Sequence, residues 1–338
     1  SKRSSTSSSE MSTFLRRLML FLAVLGLVAW GLDRTLKAGL RARTTFTLGV
    51  WNRLVDGKIQ ADVLFCGSSR ALMHFDAAAI GKRTGRSCYN IGMDGNQLNH
   101  QLPWLITYLK YNRPPELILQ NVDMISLSPD TDVFFPSQYP PYLNEDVIYE
   151  DLRNTAPDWW KDRYIPLYSF TRFGYGYAAL GVKGLLGLED TLHDPLHLGF
   201  QRKDLNWDGG FDRVKERFPK GLRRPNEESA RNTLRTIIRT AQQKGSKVVL
   251  VYTPELGEMQ RLTLNRTELM DAYRSIAAER GIPFWDFSTA TFCEDRSYFY
   301  NSQHLNARGV DLFTPMIADS IQALLRGPLT PTPDRTIP

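Results

Sequence analysis

Apolar residues fall along this chain in two rhythms. Five short, nearly continuous apolar runs stand out, at Asp62–Cys66, Ser87–Ile91, Glu116–Val122, Lys247–Tyr252 and Pro283–Phe287. Runs of this length bounded by turn residues predict strands buried on both faces. Around them, apolar positions recur every three or four residues over Ala71–Lys82, Gln97–Tyr111, Glu227–Lys244, Thr267–Arg280 and Asn306–Leu325, which predicts amphipathic helices. The stretch AQQKGSKVVLVYTP is typical, a helix closing on Lys and Gly before a buried strand. Strands alternating with helices predict an α/β fold, a parallel sheet of about five strands covered on both faces.

The N-terminus follows neither rhythm. Residues 1–10, SKRSSTSSSE, are polar and of low complexity, and a tail over 1–13 is expected to be disordered. The apolar run Leu18–Leu32 comes next; it is about 15 residues long, where a straight span needs about 20. Phe14 and Leu15 extend it, Arg16, Arg17 and Arg34 can snorkel, and Trp30 sits where an interfacial aromatic belongs. A single-pass anchor over 14–40 is the preferred reading. A cleaved signal peptide has the right apolar length, but Leu27-Val28-Ala29 is a poor cleavage site. A buried core helix fits least, because the run is apolar all round with charges at its ends. Basic residues flank both sides alike, so charge alone does not orient the span.

A third stretch, residues 129–225, is long and rich in aromatics, Pro and Gly, with FFPSQYPPYL and RFGYGYAALGV as examples. It predicts a largely helical insertion beside the strand ends, splitting an α/β domain of residues 41–128 and 226–326; residues 327–338 form a tail. Its Trp and Tyr form either the insertion's own small core or a groove for a sugar or acyl chain.

Composition narrows the function classes. The chain's 338 residues hold a large core, with ordinary charged and apolar fractions. The net charge of +6 is concentrated near the apolar N-terminal run, which suits an anionic lipid surface. Zinc-finger spacing and basic helices interleaved with aromatics are missing, so nucleic acid is not an expected partner. Cys66, Cys88 and Cys293 form no CxxC pair and do not reveal the redox compartment. His193 and His197 are four apart, but Pro195 between them disfavours the helix a metal pair would need, and His74 and His100 match no metal spacing. No metal or cofactor is expected.

Three segments share one place in the predicted layout. Gly67-Ser68-Ser69 follows the first strand, YNIGMDGNQ (Tyr89–Gln97) follows the second, and NSQHLNARG (Asn301–Gly309) follows the fifth. In a parallel sheet, such loops emerge at the carboxyl ends of the strands, where ligands bind. Ser69, Gly95 and His304 are therefore expected to converge. A serine beside a histidine, with backbone N–H donors nearby, is the apparatus of acyl transfer. Each residue also has a structural reading: a serine at a strand-to-helix junction is commonly a helix cap, and a lone histidine commonly serves structure.

VLFCGSSRA…FD, YNIGMDG and QHLNARG together resemble the SGNH/GDSL hydrolase superfamily, over roughly residues 60–125 and 245–325. With the GSS block just after a membrane anchor, the likeness is to the branch with the D-alanine transfer protein of teichoic acid synthesis and the polysaccharide O-acetylation proteins. The resemblance implies a flavodoxin-like three-layer sandwich with Ser69 as nucleophile and Ser68 where the family has Asp. It implies His304 as general base, and the Ser69 N–H and Gly95 as oxyanion donors. Two blocks depart from the family pattern. The Gly-x-Asn-Asp block is LQNVDM here, which puts Asn121, the third oxyanion donor, one residue out of register. The Asp-x-x-His block has Asn301 in place of Asp, so an amide orients His304 unless Asp286 or Asp295 supplies the acid. The resemblance implies an anchored esterase or O-acyltransferase on the outer side of a bacterial inner membrane. It would act on an acyl ester and a cell-envelope polysaccharide, partnered by the bilayer and a multipass acyltransferase. The alternative is an inactive subunit with the same fold, serving binding or assembly in a membrane complex.

Overall fold

The computed structural model describes residues 8–128 and 132–326. The chain divides into two compact units, one of residues 1–44 and 135–189 and one of residues 45–134 and 190–338. Residues 190–225, expected within the insertion, thus belong with the α/β domain. Residues 1–7, 129–131 and 327–338 of the expected tails and insertion lie outside the described residues.

In the α/β unit, strands β1 (Val63–Cys66), β2 (Cys88–Asn90), β3 (Leu117–Val122), β6 (Lys247–Tyr252) and β7 (Phe284–Asp286) form one parallel sheet in the order β2-β1-β3-β6-β7. Counted within the sheet alone this is 2-1-3-4-5, the flavodoxin-like doubly wound order. A short antiparallel ribbon, β4 (Leu196–His197) and β5 (Phe200–Gln201), sets the Leu198 carbonyl on the Asn90 N–H at the free edge of β2.

Side chains alternate across the sheet and build two cores. On one face Val63, Phe65, Leu117, Leu119, Val249 and Val251 share a core with Phe75, with Ile80 of α4 (Ala77–Thr84) and with Phe313 and Ile317 of α14 (Ala307–Arg326). On the other face lie α5 (Leu98–Tyr111), α11 (Glu228–Gln243) and α13 (Arg266–Arg280), with α2 (Phe46–Val55) on α5. There Trp51 stacks on Trp104, with ring centroids 4.1 Å apart. The helix expected over Ala71–Lys82 is instead two, α3 (Ser69–His74) and α4. The chain leaves the helical conformation at Phe75, and the Asp76 carboxylate caps α4 by accepting from the Ala79 N–H.

The first unit holds α1 (Ser8–Ala42), α6 (Asp146–Thr155), α7 (Trp159–Tyr164), α8 (Tyr168–Phe173) and α9 (Tyr175–Leu185). Among the described residues α1 alone is long and apolar enough to cross a membrane. Its most apolar 18-residue window has a mean hydropathy of 1.8 and is not covered by protein. Residues 8–13, expected in the disordered tail, are already helical. The aromatics of residues 135–189 form a core of their own from buried Tyr139, Tyr142, Trp159, Phe170 and Tyr177. Gly39 on α1 meets Gly181 and Gly184 on α9 so closely that a Cβ on Gly39 would fall 1.9 Å from the Gly181 carbonyl oxygen.

One glycine positions the site in the second unit. Gly67 ends β1 at φ +145°, and a Cβ there would lie 2.7 Å from that of Asn121 and 2.9 Å from that of Ala71. Gly67→Ala is expected to cost about 2 kcal/mol or more through strain and clash together. Thermal unfolding followed by circular dichroism checks this; an unchanged midpoint would contradict it.

Candidate active site

The two serines after β1 divide the two roles that the sequence left open. Ser68 is the N-cap of α3: its hydroxyl accepts from the Arg70 N–H at 3.4 Å and donates to Asp123 Oδ2 at 2.7 Å. Ser69, in the first turn of α3, directs its Oγ to His304 Nε2 at 2.7 Å. These residues are 235 apart in sequence and meet because both loops leave the carboxyl ends of parallel strands.

The His304 tautomer follows from its neighbours. Asn301 Oδ1 accepts the backbone N–H groups of Gln303 and His304, each at 3.0 Å, closing an Asx turn. Two N–H donors can point only at the amide oxygen, so the flip of Asn301 is fixed. The same oxygen lies 2.9 Å from His304 Nδ1, which must then carry the proton. Nε2 is left with a lone pair aimed at Ser69, the geometry of a base that takes the hydroxyl proton. The Tyr300 ring stacks on the imidazole with a centroid distance of 5.4 Å and an interplanar angle of 10°, and the Tyr300 hydroxyl donates to Met73 Sδ at 3.0 Å.

Beneath this pair is a buried polar cluster that no sequence motif marked. Arg70 is fully enclosed. Its Nε donates to Thr253 Oγ1 at 3.2 Å, its Nη2 to the Thr253 and Pro254 carbonyls, and its Nη1 lies 3.6 Å from Glu255 Oε1. The Arg70 guanidinium also lies over the Tyr252 ring, and burial raises the pKa of Glu255. His74, also fully buried, accepts the Leu305 N–H on Nε2 at 3.0 Å, so its Nδ1 is protonated and donates to Thr253 Oγ1 at 2.8 Å. This bond pins the backbone one residue after His304. Burial first, and the Arg70 charge second, depress the pKa of His74 and bring that of His304 down to about 4, with Asp123 opposing for His304. Both imidazoles are neutral at physiological pH.

Four expected site groups are placed elsewhere or are otherwise engaged. Asn121 is buried and turns its Nδ2 to the Val251 carbonyl at 3.1 Å, holding β6 rather than facing Ser69. The Phe134 ring covers Gly95: a Cβ there would fall 2.3 Å from it. Asp286 accepts from the N–H and hydroxyl of Ser288 and is 3.8 Å from Arg274. Asp295 caps a 3-10 turn through the Ser297 N–H, which lowers its pKa. Neither acid is the partner of His304 Nδ1, because Asn301 holds that place. The groups the sequence reading missed are Tyr300, His74, Arg70 and Asp94. Asp94 has its pKa raised by burial, and Tyr300 is pushed up to about 12, mainly by burial and then by Asp94. An apolar setting around His74 (ALMHF) was the one legible sign of a buried imidazole.

No protein-family model and no curated protein sequence matches the chain. Among solved structures, the chain is similar to a candidate acylhydrolase from Bacteroides fragilis NCTC 9343. The identity is 12%, the match covers 78% of this chain and 88% of that one, and the TM-score is 0.37.

The division of labour between the serines predicts unequal stability effects. Ser68→Ala removes a cap and a partner of the buried Asp123, and is expected to cost about 1–3 kcal/mol. Ser69→Ala is expected to cost less than about 0.5 kcal/mol, since the cap remains. Chemical denaturation separates the two; equal losses would contradict the assignment. The depressed imidazoles add a pH effect. Between pH 6.5 and 4 the unfolded chain binds protons that the folded His304 and His74 refuse, so stability falls on acidification through that window. His304 alone contributes roughly 2 kcal/mol after allowing for its solvent-facing edge. Melting temperatures across this range are expected to drop, and His304→Gln to flatten the drop.

Proposed function

We propose that the α/β unit is an SGNH-type serine esterase or O-acyltransferase, held at a membrane by α1. The observation that carries this reading is the Ser69 Oγ to His304 Nε2 contact at 2.7 Å, with the imidazole tautomer fixed by Asn301. In the first step Ser69 Oγ attacks the acyl carbonyl while His304 Nε2 takes its proton. The Ser69 backbone N–H is the nearest expected donor to the oxyanion, and the Gly95 N–H, under the Phe134 ring, joins it only if that ring moves aside. His304 then returns the proton to the departing alkoxide, leaving acyl-Ser69 and an alcohol. In the second step water, or a hydroxyl of an acceptor glycan, gives its proton to His304 and attacks the acyl carbon; the bond to Ser69 Oγ breaks and His304 returns the proton to Oγ. The motif likeness supports an acyl ester as donor, a cell-envelope polysaccharide as acceptor and a multipass acyltransferase as partner. It also supports a location on the outer face of a bacterial inner membrane.

Asn301 sets the limits of this chemistry. An amide orients the ring but places no charge beside the imidazolium that forms in the transition state. In a serine protease the Asp-to-Asn change lowers turnover by about four orders of magnitude through the wrong tautomer; here Asn301 sets the right tautomer, so the missing charge alone slows the reaction. With a pKa of about 4, His304 is always free to accept a proton but is a weak base, which fits slow turnover. The same facts, with Asn121 turned to β6 and Gly95 covered by Phe134, favour a second reading: a binding or assembly subunit that keeps the fold without the reaction.

Hydrolysis of an aryl acetate by the full chain in detergent separates the two readings. Under the catalytic reading, kcat/KM falls only below about pH 4, when His304 protonates, and Ser69→Ala reduces it to background. Asn301→Asp should raise the His304 pKa, shift the acid limb upward and increase kcat/KM by about tenfold or more. Activity that survives in Ser69→Ala would overturn the nucleophile assignment. No activity in either the native chain or Asn301→Asp would favour the binding subunit.

A further inference from the structure

Helix α1 is bare over one stretch and covered over the next. Every residue from Met11 to Val28 is exposed, whereas Asp33, Leu36, Gly39 and Leu40 are buried. The cover begins where the apolar run ends, at Leu32. Two sets of ties fix what lies at that edge. The Leu167 N–H, in the turn between α7 and α8, donates to Asp33 Oδ1 at 3.0 Å, and Lys37, one turn further along α1, donates to the Asp162 carbonyl at 3.1 Å. On the other side, a Cβ on Gly181 would meet the Leu36 carbonyl and one on Gly184 the Gly39 carbonyl, so α1 and α9 run parallel. Arg43 continues this register by donating to the Leu188 carbonyl at 3.1 Å. Counted back six residues from the contact of Gly181 with Leu36, Tyr175 at the start of α9 stands level with Trp30.

Two exposed apolar points share this level. Tyr175 is 96% exposed at the tip of α9. In the α7–α8 turn Tyr164 is 63% exposed, with Ile165 exposed beside it. At 1.5 Å per residue, Trp30 lies about 3 Å short of Leu32 and Asp33 about 1.5 Å beyond it, so both points fall within about one helical turn of the end of the apolar run. The layer between hydrocarbon and water is roughly 5–8 Å deep on each side of a bilayer. Tyr and Trp gather at that depth because the ring is better placed in apolar surroundings while the O–H or N–H keeps its water.

We propose that the floor of the first unit, formed by the α7–α8 turn and the tip of α9, rests in the headgroup layer of the bilayer, with Tyr175, Tyr164 and Ile165 seated in the interface around Trp30. The inference rests on the reading that α1 spans a membrane. It is independent of whether Ser69 is catalytic. A lipid surface is the fitting partner because the bare length of α1 enters it at the same level, so the exposed rings continue the apolar surface that α1 already presents. A single span leaves its helix free to tilt and rotate; two further points of contact beside it remove that freedom.

The test is the collision accessibility of a nitroxide attached to one introduced cysteine at a time, with the full chain in liposomes of phosphatidylglycerol and phosphatidylcholine. Cys66, Cys88 and Cys293 are buried, and the native chain measures their background labelling. Labels on Tyr175→Cys and Ile165→Cys are compared with Leu25→Cys, in the apolar run, and with Leu188→Cys, level with Arg43 and about 16 Å beyond Leu32. All four positions are exposed, so the labels disturb no packing. Oxygen concentrates in the bilayer and a nickel chelate in water. The label at position 25 is expected to meet oxygen and exclude nickel, and the label at 188 to do the reverse. Those at 165 and 175 should meet oxygen and collide with nickel about fivefold less often than the label at 188. Nickel access at position 25 equal to that at 188 would overturn the membrane-spanning reading and the proposal with it. A shielded position 25, with 165 or 175 as open to nickel as 188, would overturn the proposal alone. Labels at 165 and 175 shut off from both oxygen and nickel would show protein covering them, and would overturn lipid as the occupant.

Discussion

Asn301 Oδ1 receives three donors, two from the backbone and one from an imidazole, and the chemistry of the site depends on that convergence. The backbone donors shape the turn that carries His304. They also settle which end of the amide faces the ring, and this settles which ring nitrogen keeps its proton. The direction of the Ser69–His304 hydrogen bond follows from a turn built three residues upstream of the histidine. An aspartate at position 301 would make the same turn with a charge added. The turn and the charge are thus separable, and this chain keeps the first without the second.

The floor of the site is held by charges rather than by apolar packing. Enclosing Arg70, Glu255 and Asp123 beneath a solvent-facing serine is costly, and it is tolerated because each has partners: carbonyls and Thr253 for Arg70, the Tyr252 hydroxyl for Glu255, and Ser68 and the Ile125 N–H for Asp123. The arrangement locks the carboxyl ends of β1, β3 and β6 together just where the loops must be placed accurately. It also has an electrostatic consequence. Burial first, and the Arg70 cation second, keep both nearby imidazoles neutral, so the site is ready to accept a proton but ill suited to hold one. In this site the stability of the floor and the strength of the base pull against each other.

The sheet was legible because strands buried on both faces are written as continuous apolar runs. All five expected strands are present, with ends shifted by at most one residue, and the approach of Ser69 to His304 follows from their parallel order. The break between α3 and α4 was not legible from periodicity, since the apolar spacing runs straight through Phe75 and only the cap at Asp76 marks it. The partners of Asn121, Asp286 and Asp295 were not legible for a common reason. Each has the right residue type near a strand end, but its partner is set by contacts that spacing does not encode. Asn121 bonds across to β6, Asp286 turns to Ser288, and Asp295 caps its own turn. The aromatic insertion divided between two units because its latter part is tied to the α/β domain by ribbon and backbone bonds, such as Leu198 to Asn90.

Labelling of the detergent-solubilised chain with a fluorophosphonate, read by intact mass, tests the central claim that Ser69 is an activated nucleophile. The account predicts a single adduct at neutral and mildly basic pH, absent in Ser69→Ala. An unlabelled native chain, or an adduct that persists in Ser69→Ala, would contradict it.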